Sequence, residues 1–189
     1  MAAIGLLFGS FNPVHHGHLL LATYIREAAQ LDEIWFVVSP QNPFKKNSDL
    51  ADENHRLEMV KLAVQHTSYF KVADIEFSLP KPSYTCTTLK ELNRQYPAHK
   101  FHVIIGGDNT AKFQEWKESG WIQKNYTIII YNRGIPDSAA AIQNSKFYSL
   151  PLLDISATEI RQRIKNKKSI RYFIPENVEQ YIAFHKLYR

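Results

Sequence analysis

The segment IGLLFGSFNPVHHGHLLLATYI, residues 4–25, decides the fold because it holds a strand, a loop and the start of a helix. Its apolar run Ile4–Phe8 is too short to span a membrane and predicts a buried strand. The dipeptide Asn12-Pro13 predicts a turn, and helical periodicity begins near Gly17. A strand that leads through a glycine-containing loop into a helix indicates an α/β fold.

Strand-like and helix-like segments alternate along the chain as far as residue 154. The apolar runs that predict strands are Ile4–Phe8, Ile34–Val38, Phe70–Phe77 (interrupted), Phe101–Ile105, Thr127–Tyr131 and the weaker Phe147–Leu152. Helical patterns lie between them at about 17–30, 52–66, 84–96 and 109–123. Continuous runs of β-branched and aromatic residues are typical of strands that are buried on both faces. The pattern predicts a Rossmann-like, doubly wound parallel sheet with helices on both faces.

The tail of the chain, residues 155–189, predicts two further helices. SATEIRQRIKNKK (156–168) begins with Ser156 and Glu159, whose spacing matches a capping box. PENVEQYIAFHKL (175–187) has Pro175 near its start, where proline is favoured. We therefore predict a single domain over 1–189, with an α/β core over 1–154 and C-terminal helices over 155–189.

The charge is uneven, and cysteine is scarce. The chain has 189 residues and a net charge of +5, and residues 155–189 hold eight basic but only three acidic side chains. A solvated helix face and a phosphate-binding surface both explain this excess. The single cysteine, Cys86, excludes an internal disulfide and fits the reducing cytoplasm, where we expect this protein. We expect no membrane segment.

Three histidines lie where the first strand gives way to the first helix. His15 and His18 come at the predicted helix N-terminus, whose N–H groups and dipole attract anions. Gly9 and Gly17 let a ligand approach the backbone closely. Zinc binding is not favoured because Asp and Glu are absent from residues 9–26, and Ser10 lacks the G-x-S-x-G context of a nucleophile. A phosphate cradle and simple helix-capping histidines both stay open.

Two motifs at opposite ends of the chain give a specific resemblance. GSFNPVHHGHL (9–19) resembles the H-x-G-H signature of the nucleotidylyltransferase superfamily, and ISATEIR (155–161) resembles its second signature. Between them, the chain is similar to the bacterial nicotinate-nucleotide adenylyltransferases. This narrower similarity lies in PQNPFKK (40–46), HRLEMVKLA (55–63), PSYTCTTL (82–89) and IIGGDNTAKFQEW (104–116).

The resemblance implies a transferase of NAD biosynthesis, in which ATP and nicotinate mononucleotide give deamido-NAD and pyrophosphate. It implies direct in-line attack without a covalent enzyme intermediate, and Mg²⁺ carried with ATP rather than held at a dedicated protein site. The catalytic residues it implies are His15, His18, Lys45 and Arg161. The ATP and phosphate residues are Gly9, Ser10, Phe11, Gly107, Asp108, Arg133, Ser156 and Thr158. The residues for nicotinate mononucleotide are Tyr84, Thr85 and Trp116.

Several alternatives stay open beside this interpretation. Lys45 is also explained as a solvated loop lysine, Asp108 as a helix cap and Trp116 as a packing residue. The chain departs from the family pattern at Phe8, Asn12, Phe44 and Thr87. The acceptor could instead be nicotinamide mononucleotide or phosphopantetheine. A nucleic-acid-binding module is a remote alternative, because the basic tail contains no recognised motif, and a homo-oligomer is neither predicted nor excluded.

Overall fold

The computed structural model describes residues 1–41, 43, 50–133, 142–151 and 154–189, and of residues 132 and 133 it describes the backbone alone. The strands are β1 Ala3–Gly9, β2 Glu33–Val38, β3 Phe70–Ala73, β4 Lys100–Gly106, β5 Thr127–Arg133 and β6 Ser145–Leu150. The α-helices are α1 His16–Ala28, α2 Glu53–Val64, α3 Thr85–Gln95, α4 Ser119–Asn125, α5 Ala157–Lys165 and α6 Glu176–Phe184. Short 3-10 helices cover Ile75–Ser78 and Gly107–Glu115.

The six strands in the described part of the chain are parallel and follow the order β3-β2-β1-β4-β5-β6. In the centre of the sheet, Leu7 of β1 is paired with Phe36 on one side and Ile104 on the other. The chain winds outward from β1 to β3 and then returns to place β4 beside β1. This is the doubly wound fold that the sequence predicts, and its switch point lies between the carboxyl ends of β1 and β4.

The central strands alternate their side chains between two separate cores. Phe36 of β2 belongs to the core on the side of α1 and α2, whereas its neighbour Trp35 belongs to the core on the side of α3. Ile104 and Ile105 of β4 divide in the same way. Burial on both faces explains why these strands read as continuous apolar runs.

The C-terminal helices pack on the first of these cores. Ile160, Val178 and Ile182 are buried in the cluster that also contains residues of β1 and β2. The amide of His16, at the start of α1, donates to the carbonyl of Phe173 over 2.9 Å. The tail therefore lies directly against the loop and helix that follow β1.

Two predicted elements differ in the structure. The helix expected over 109–123 is divided into the 3-10 helix Gly107–Glu115 and α4, because Trp116 is extended and Glu118 is left-handed with φ 56°. The strand expected over Phe70–Phe77 ends at Ala73 and continues as the 3-10 helix Ile75–Ser78. The described residues contain no helix with the length and hydropathy that a membrane crossing needs.

Candidate active site

A cavity of about 470 Å³ opens at the carboxyl ends of β1 and β4, where the switch point lies. It brings together predicted site residues from three separate parts of the chain. These are Gly9 and Ser10 after β1, Tyr84 and Thr85 at the start of α3, and Trp116 after the 3-10 helix Gly107–Glu115. The wall thus joins exposed backbone with aromatic rings, a combination suited to phosphate and to a flat heterocycle.

His15 and His18 form one stacked unit at the N-terminus of α1. Their ring centroids are 3.7 Å apart with an interplanar angle of 29°. The amide of His15 donates to Nδ1 of His18 over 3.3 Å, and the two residues form a reciprocal capping box. Because Nδ1 of His18 accepts this bond, the neutral imidazole holds its proton on Nε2. His15 is 3% exposed, whereas His18 is half-buried, so His18 is the more accessible member of the pair.

Gly17 lies between these histidines because a side chain there would collide with one of them. A Cβ at Gly17 would come within 2.9 Å of Nδ1 of His15 and 3.4 Å of the carbonyl oxygen of Ile155. The second contact shows that the residue before the ISATEIR helix lies against the start of α1. Glycine at this position therefore leaves room for the His15 ring and lets the two motifs pack closely.

Phe11 contributes its ring to the core rather than to the cavity wall. The ring is 3% exposed and packs edge-on against His18, with the centroids 5.1 Å apart. The backbone of Phe11 is left-handed, with φ 46°, which turns the loop after β1. A role for Phe11 toward phosphate would accordingly rest on its backbone.

Arg161 connects α5 to the loop after β1. One of its terminal nitrogens donates to the carbonyl of Asn12 over 2.9 Å, and the other donates to the hydroxyl of Thr158 over 3.4 Å. Ser156 caps α5 by accepting from the amide of Glu159 over 3.1 Å, as the capping box predicts. A guanidinium and a helix N-terminus therefore lie beside the histidine loop, and both attract anions.

The other end of the cavity is aromatic and carries a cation. The amine of Lys117 lies 4.6 Å from the centroid of the Tyr84 ring. Trp116, whose ring packs against Phe113, lies on the same wall. Lys117 was not among the residues that the sequence singled out, although it follows Trp116 directly.

The remaining predicted residues lie outside the described side chains or beside the cavity. Gly107 and Asp108 begin the 3-10 helix, and their neighbours Gly106 and Asn109 form the cavity wall. Lys45 and the side chain of Arg133 lie outside the part of the chain that the structure describes. Among the described residues, no group of three or more His, Cys, Asp or Glu side chains has the arrangement of a metal site.

Sequence comparison with known proteins identifies a family, and structure comparison identifies a shared fold. A family model described as "Cytidylyltransferase-like" matches residues 6–163. A relative from Cytophaga hutchinsonii, named "Probable nicotinate-nucleotide adenylyltransferase", is 48% identical and the match covers 98% of this chain and 97% of that protein. A relative of the same name from Flavobacterium johnsoniae is 42% identical, with 98% of each chain covered.

The chain belongs to the family of bacterial nicotinate-nucleotide adenylyltransferases. Among solved structures, the nicotinic acid mononucleotide adenylyltransferase of Plasmodium falciparum, complexed with NaAD, matches with a TM-score of 0.81. The match covers 100% of this chain and 98% of that chain at 22% identity, and it shows a shared fold.

Arg56 is a buried residue of this family member that sequence reasoning missed. It is 1% exposed, and its guanidinium donates to the carbonyls of Ser10, Ser39, Pro40 and Ala51 over 2.7–3.0 Å. These carbonyls belong to the segments that follow β1 and β2 and to the residue that precedes α2. Burial lowers the pKa of the guanidinium, but an arginine still stays charged at neutral pH. Arg56 thus holds the segments that form one side of the cavity.

Glu76 is a second buried charged residue that the sequence did not reveal. It is 2% exposed on the cavity wall, and the hydroxyl of Thr88 donates to its Oε1 over 2.7 Å. Burial raises the pKa of the Glu76 carboxyl, and the hydroxyls of Thr88, Ser83 and Ser39 oppose that shift. The Glu76 carboxyl therefore lies between Ser39, which follows β2, and Ser83 and Thr88 near the start of α3.

One sequence signal could have revealed Arg56, whereas none marks Glu76. Arg56, Val60 and Val64 are spaced four residues apart on α2 and all three are buried, so the arginine occupies the apolar face. A charged residue on such a face implies buried partners. Glu76 belongs to a segment that was predicted as an interrupted strand, in which its direction could not be assigned.

Proposed function

We propose that this member of the nicotinate-nucleotide adenylyltransferase family transfers the adenylyl group of ATP to nicotinate mononucleotide, forming deamido-NAD and pyrophosphate. The observation that carries the proposal is the cavity at the switch point. Its wall contains the backbone of Gly9 and Ser10 together with the rings of Tyr84 and Trp116. Adenylyl transfer needs both surfaces in one cavity, because the phosphates of ATP must lie beside the acceptor, whose flat ring needs a binding surface of its own.

The reaction is a single in-line displacement. A 5′-phosphate oxygen of nicotinate mononucleotide attacks the α-phosphorus of ATP, and the bond from that phosphorus to the oxygen bridging to the β-phosphorus breaks. Pyrophosphate leaves with the electron pair of that bond. Such a transfer needs positioning and charge stabilisation rather than a protein nucleophile. The absence of a nucleophile motif from the histidine loop is in keeping with this chemistry.

The catalytic roles fall on groups that donate hydrogen bonds or carry positive charge. Nε2–H of His18 donates to the phosphates as negative charge moves toward pyrophosphate, and His15 supports it by stacking. Arg161 adds a planar guanidinium beside the same loop. Lys45 and Arg133 complete the positive surface in this proposal.

Substrate binding divides between the two ends of the cavity. The ATP phosphates are held by backbone at residues 9–11 and by the α5 N-terminus with Ser156 and Thr158. Asp108, which follows Gly107, accepts from the ribose hydroxyls. The pyridine ring lies between Tyr84 and Trp116, with its carboxylate toward Thr85 and Lys117. Mg²⁺ enters as part of the ATP substrate. We place the reaction in the cytoplasm and the whole chain in one domain.

The deciding experiment measures pyrophosphate release by the pure protein with MgATP and each of three acceptors: nicotinate mononucleotide, nicotinamide mononucleotide and phosphopantetheine. We expect the highest kcat/KM with nicotinate mononucleotide. The His18→Ala variant should lose roughly 10²-fold in turnover with that acceptor, because one charge-stabilising donor is removed. Its thermal unfolding should stay close to that of the original protein, since His18 is only half-buried.

Other outcomes have defined meanings. Release with phosphopantetheine alone would assign a different acceptor within the same superfamily. No release with any acceptor, together with salt-sensitive binding of random oligonucleotides, would contradict the proposed reaction and indicate a nucleic-acid-binding module instead. Full turnover by His18→Ala would remove His18 from the catalytic groups.

A further inference from the structure

The side chain of Asn12 joins three distant parts of the chain. Asn12 lies in the loop after β1 and is 6% exposed. Its Oδ1 accepts from the amide of Ala51 over 3.0 Å and from the hydroxyl of Tyr188 over 2.8 Å. Tyr188 is 176 residues away in sequence and is the second-last residue. The histidine loop is therefore tied directly to the C-terminal end of the chain.

The chain after α6 turns sharply to bring Tyr188 to this loop. Lys186 and Tyr188 are both left-handed, with φ 52° and 62°. The amide of Leu187 donates back to the carbonyl of Ile182 over 3.1 Å. A left-handed backbone is uncommon for residues other than glycine, so the surrounding contacts define this ending closely.

The ring and the hydroxyl of Tyr188 have different surroundings. The ring packs, half-buried, against the core cluster that contains α6. The hydroxyl donates to Asn12. Burial raises the pKa of this hydroxyl, and the nearby Arg56 and Arg161 guanidinium groups oppose that shift. The phenol thus stays protonated and is a permanent donor to Asn12. The ring accounts for packing, and the hydroxyl adds a contact that packing does not require.

Asn12 also contacts groups of the proposed phosphate site. Its own carbonyl accepts from Arg161 over 2.9 Å, and Arg56 holds the neighbouring carbonyl of Ser10 over 2.7 Å. A shift of the Asn12 side chain therefore moves the loop that contains Gly9 and Ser10 and the guanidinium that it orients.

We propose that Tyr188 is a positioning residue for adenylyl transfer, which acts through Asn12 to fix the phosphate-binding loop and Arg161. The inference rests on the proposed function. It assigns to the last residues of the chain a role in binding the triphosphate, although they lie outside both sequence motifs.

Tyr188→Phe tests the hydroxyl while retaining the ring. We expect kcat/KM for MgATP to fall about three- to tenfold, the rate equivalent of one ordinary hydrogen bond. KM for nicotinate mononucleotide should stay within about twofold, because the rings assigned to it, Tyr84 and Trp116, belong to other segments of the cavity wall than the loop that Asn12 fixes. Binding of a non-hydrolysable ATP analogue, measured by calorimetry without acceptor, should weaken in the same proportion.

Tyr181→Phe is the matched control. Tyr181 is also half-buried against the same core, and its hydroxyl lies 2.9 Å from Nδ1 of His55, between α6 and α2. Both variants remove one hydroxyl from the C-terminal region, but only Tyr188 contacts the histidine loop. We expect Tyr181→Phe to retain the kinetics of the original protein.

A double-mutant cycle with Asn12→Ala separates positioning from general destabilisation. If Tyr188 acts through Asn12, Tyr188→Phe should cause no further loss of kcat/KM or of analogue affinity in the Asn12→Ala background. Equal effects of Tyr188→Phe and Tyr181→Phe, or additive losses in the cycle, would overturn the inference while leaving the activity itself intact. An inactive original protein that still binds the analogue would contradict the proposed function, and the calorimetric comparison would still decide the role of Tyr188.

Discussion

His18 owes its chemical state to a bond made inside its own helix turn. Because Nδ1 accepts from the backbone of His15, the proton lies on Nε2 and the ring has a fixed orientation. Gly17 permits this arrangement by leaving room for the His15 ring. The spacing H-x-G-H therefore has a steric reason and a protonation reason, both within four residues.

Burial raises the pKa of a second residue, Glu76. Its carboxyl is surrounded by hydroxyl groups, and burial raises its pKa above the ordinary value of 4.5. A carboxyl with a raised pKa binds its proton more tightly in the folded state than in the unfolded state. The stability it contributes is thus full below pH 4.5 and is lost as the pH rises through the raised pKa.

Glu76→Gln should remove this loss, because glutamine is neutral at every pH. We expect the unfolding free energy of the original protein to decline above pH 4.5 more steeply than that of the variant. Urea unfolding at a series of pH values measures the difference. Glu91→Gln is the control of opposite sign, since hydrogen bonds from Arg94 and Gln95 lower the pKa of Glu91 to about 2. Parallel curves for Glu76→Gln and the original protein would show that Glu76 is ionised when folded.

At the scale of elements, the site forms where loops from different βα units meet. The segments after β1 and β2 begin side by side, joined by a backbone hydrogen bond from the amide of Ser39 to the carbonyl of Gly9 over 2.9 Å. Arg56 of α2 adds charged donors, to Ser10 on one segment and to Ser39 and Pro40 on the other. One side chain of α2 thereby fixes two loops that follow other elements, β1 and β2.

Arg56→Met should destabilise the fold by about 3 kcal/mol or more, because buried carbonyls lose their charged donor. Arg56→Lys should recover part of this, since an ammonium retains the charge but not the planar fork. Urea unfolding gives the free energies, and pyrophosphate release shows whether the loops still bind substrate. Arg171→Met, at an exposed arginine whose guanidinium lies 5.5 Å from the centroid of the Tyr172 ring, should leave the unfolding midpoint nearly unchanged. Equal midpoints for Arg56→Met and Arg171→Met would contradict the role of Arg56.

For the whole molecule, the C-terminal helices and the sheet share one hydrophobic core. Ile182 of α6 is 3% exposed and belongs to the same cluster as Phe36 of β2 and Val60 of α2. The amide side chain of Asn177 also donates to the carbonyl of Leu62, at the end of α2, over 2.6 Å. Contacts of this kind predict that residues 155–189 unfold together with the sheet.

Ile182→Ala should lower the free energy of unfolding by about 2–5 kcal/mol, which is roughly 5–15 °C in Tm for a chain of this length. The whole protein should still unfold in one transition, observed equally by far-UV circular dichroism and by tryptophan fluorescence. Phe184→Ala, at a residue of α6 that is 81% exposed, should leave Tm nearly unchanged. A separate early transition in Ile182→Ala would instead show that the tail unfolds independently.

The sequence by itself determined the sheet class, the order of strands and helices and the family. Strand and helix patterns are local, and the signatures at 9–19 and 155–161 each depend on neighbouring residues. These features need no knowledge of which distant residues meet. The division of 109–123 into a 3-10 helix and α4 was missed, because its break depends on the backbone of Trp116 and Glu118 rather than on periodicity.

Only the tertiary structure decided which polar groups support the site. Arg56 reaches carbonyls up to 46 residues away, and Tyr188 reaches Asn12 across 176 residues. Glu76 has its raised pKa because folding removes it from water. Helical spacing marks Arg56 as a buried residue but names none of its partners. Each of these contacts depends on the three-dimensional path that brings two distant segments together. The residues of the two motifs could be predicted from the chain, whereas the buried groups that position them became visible only in the folded molecule.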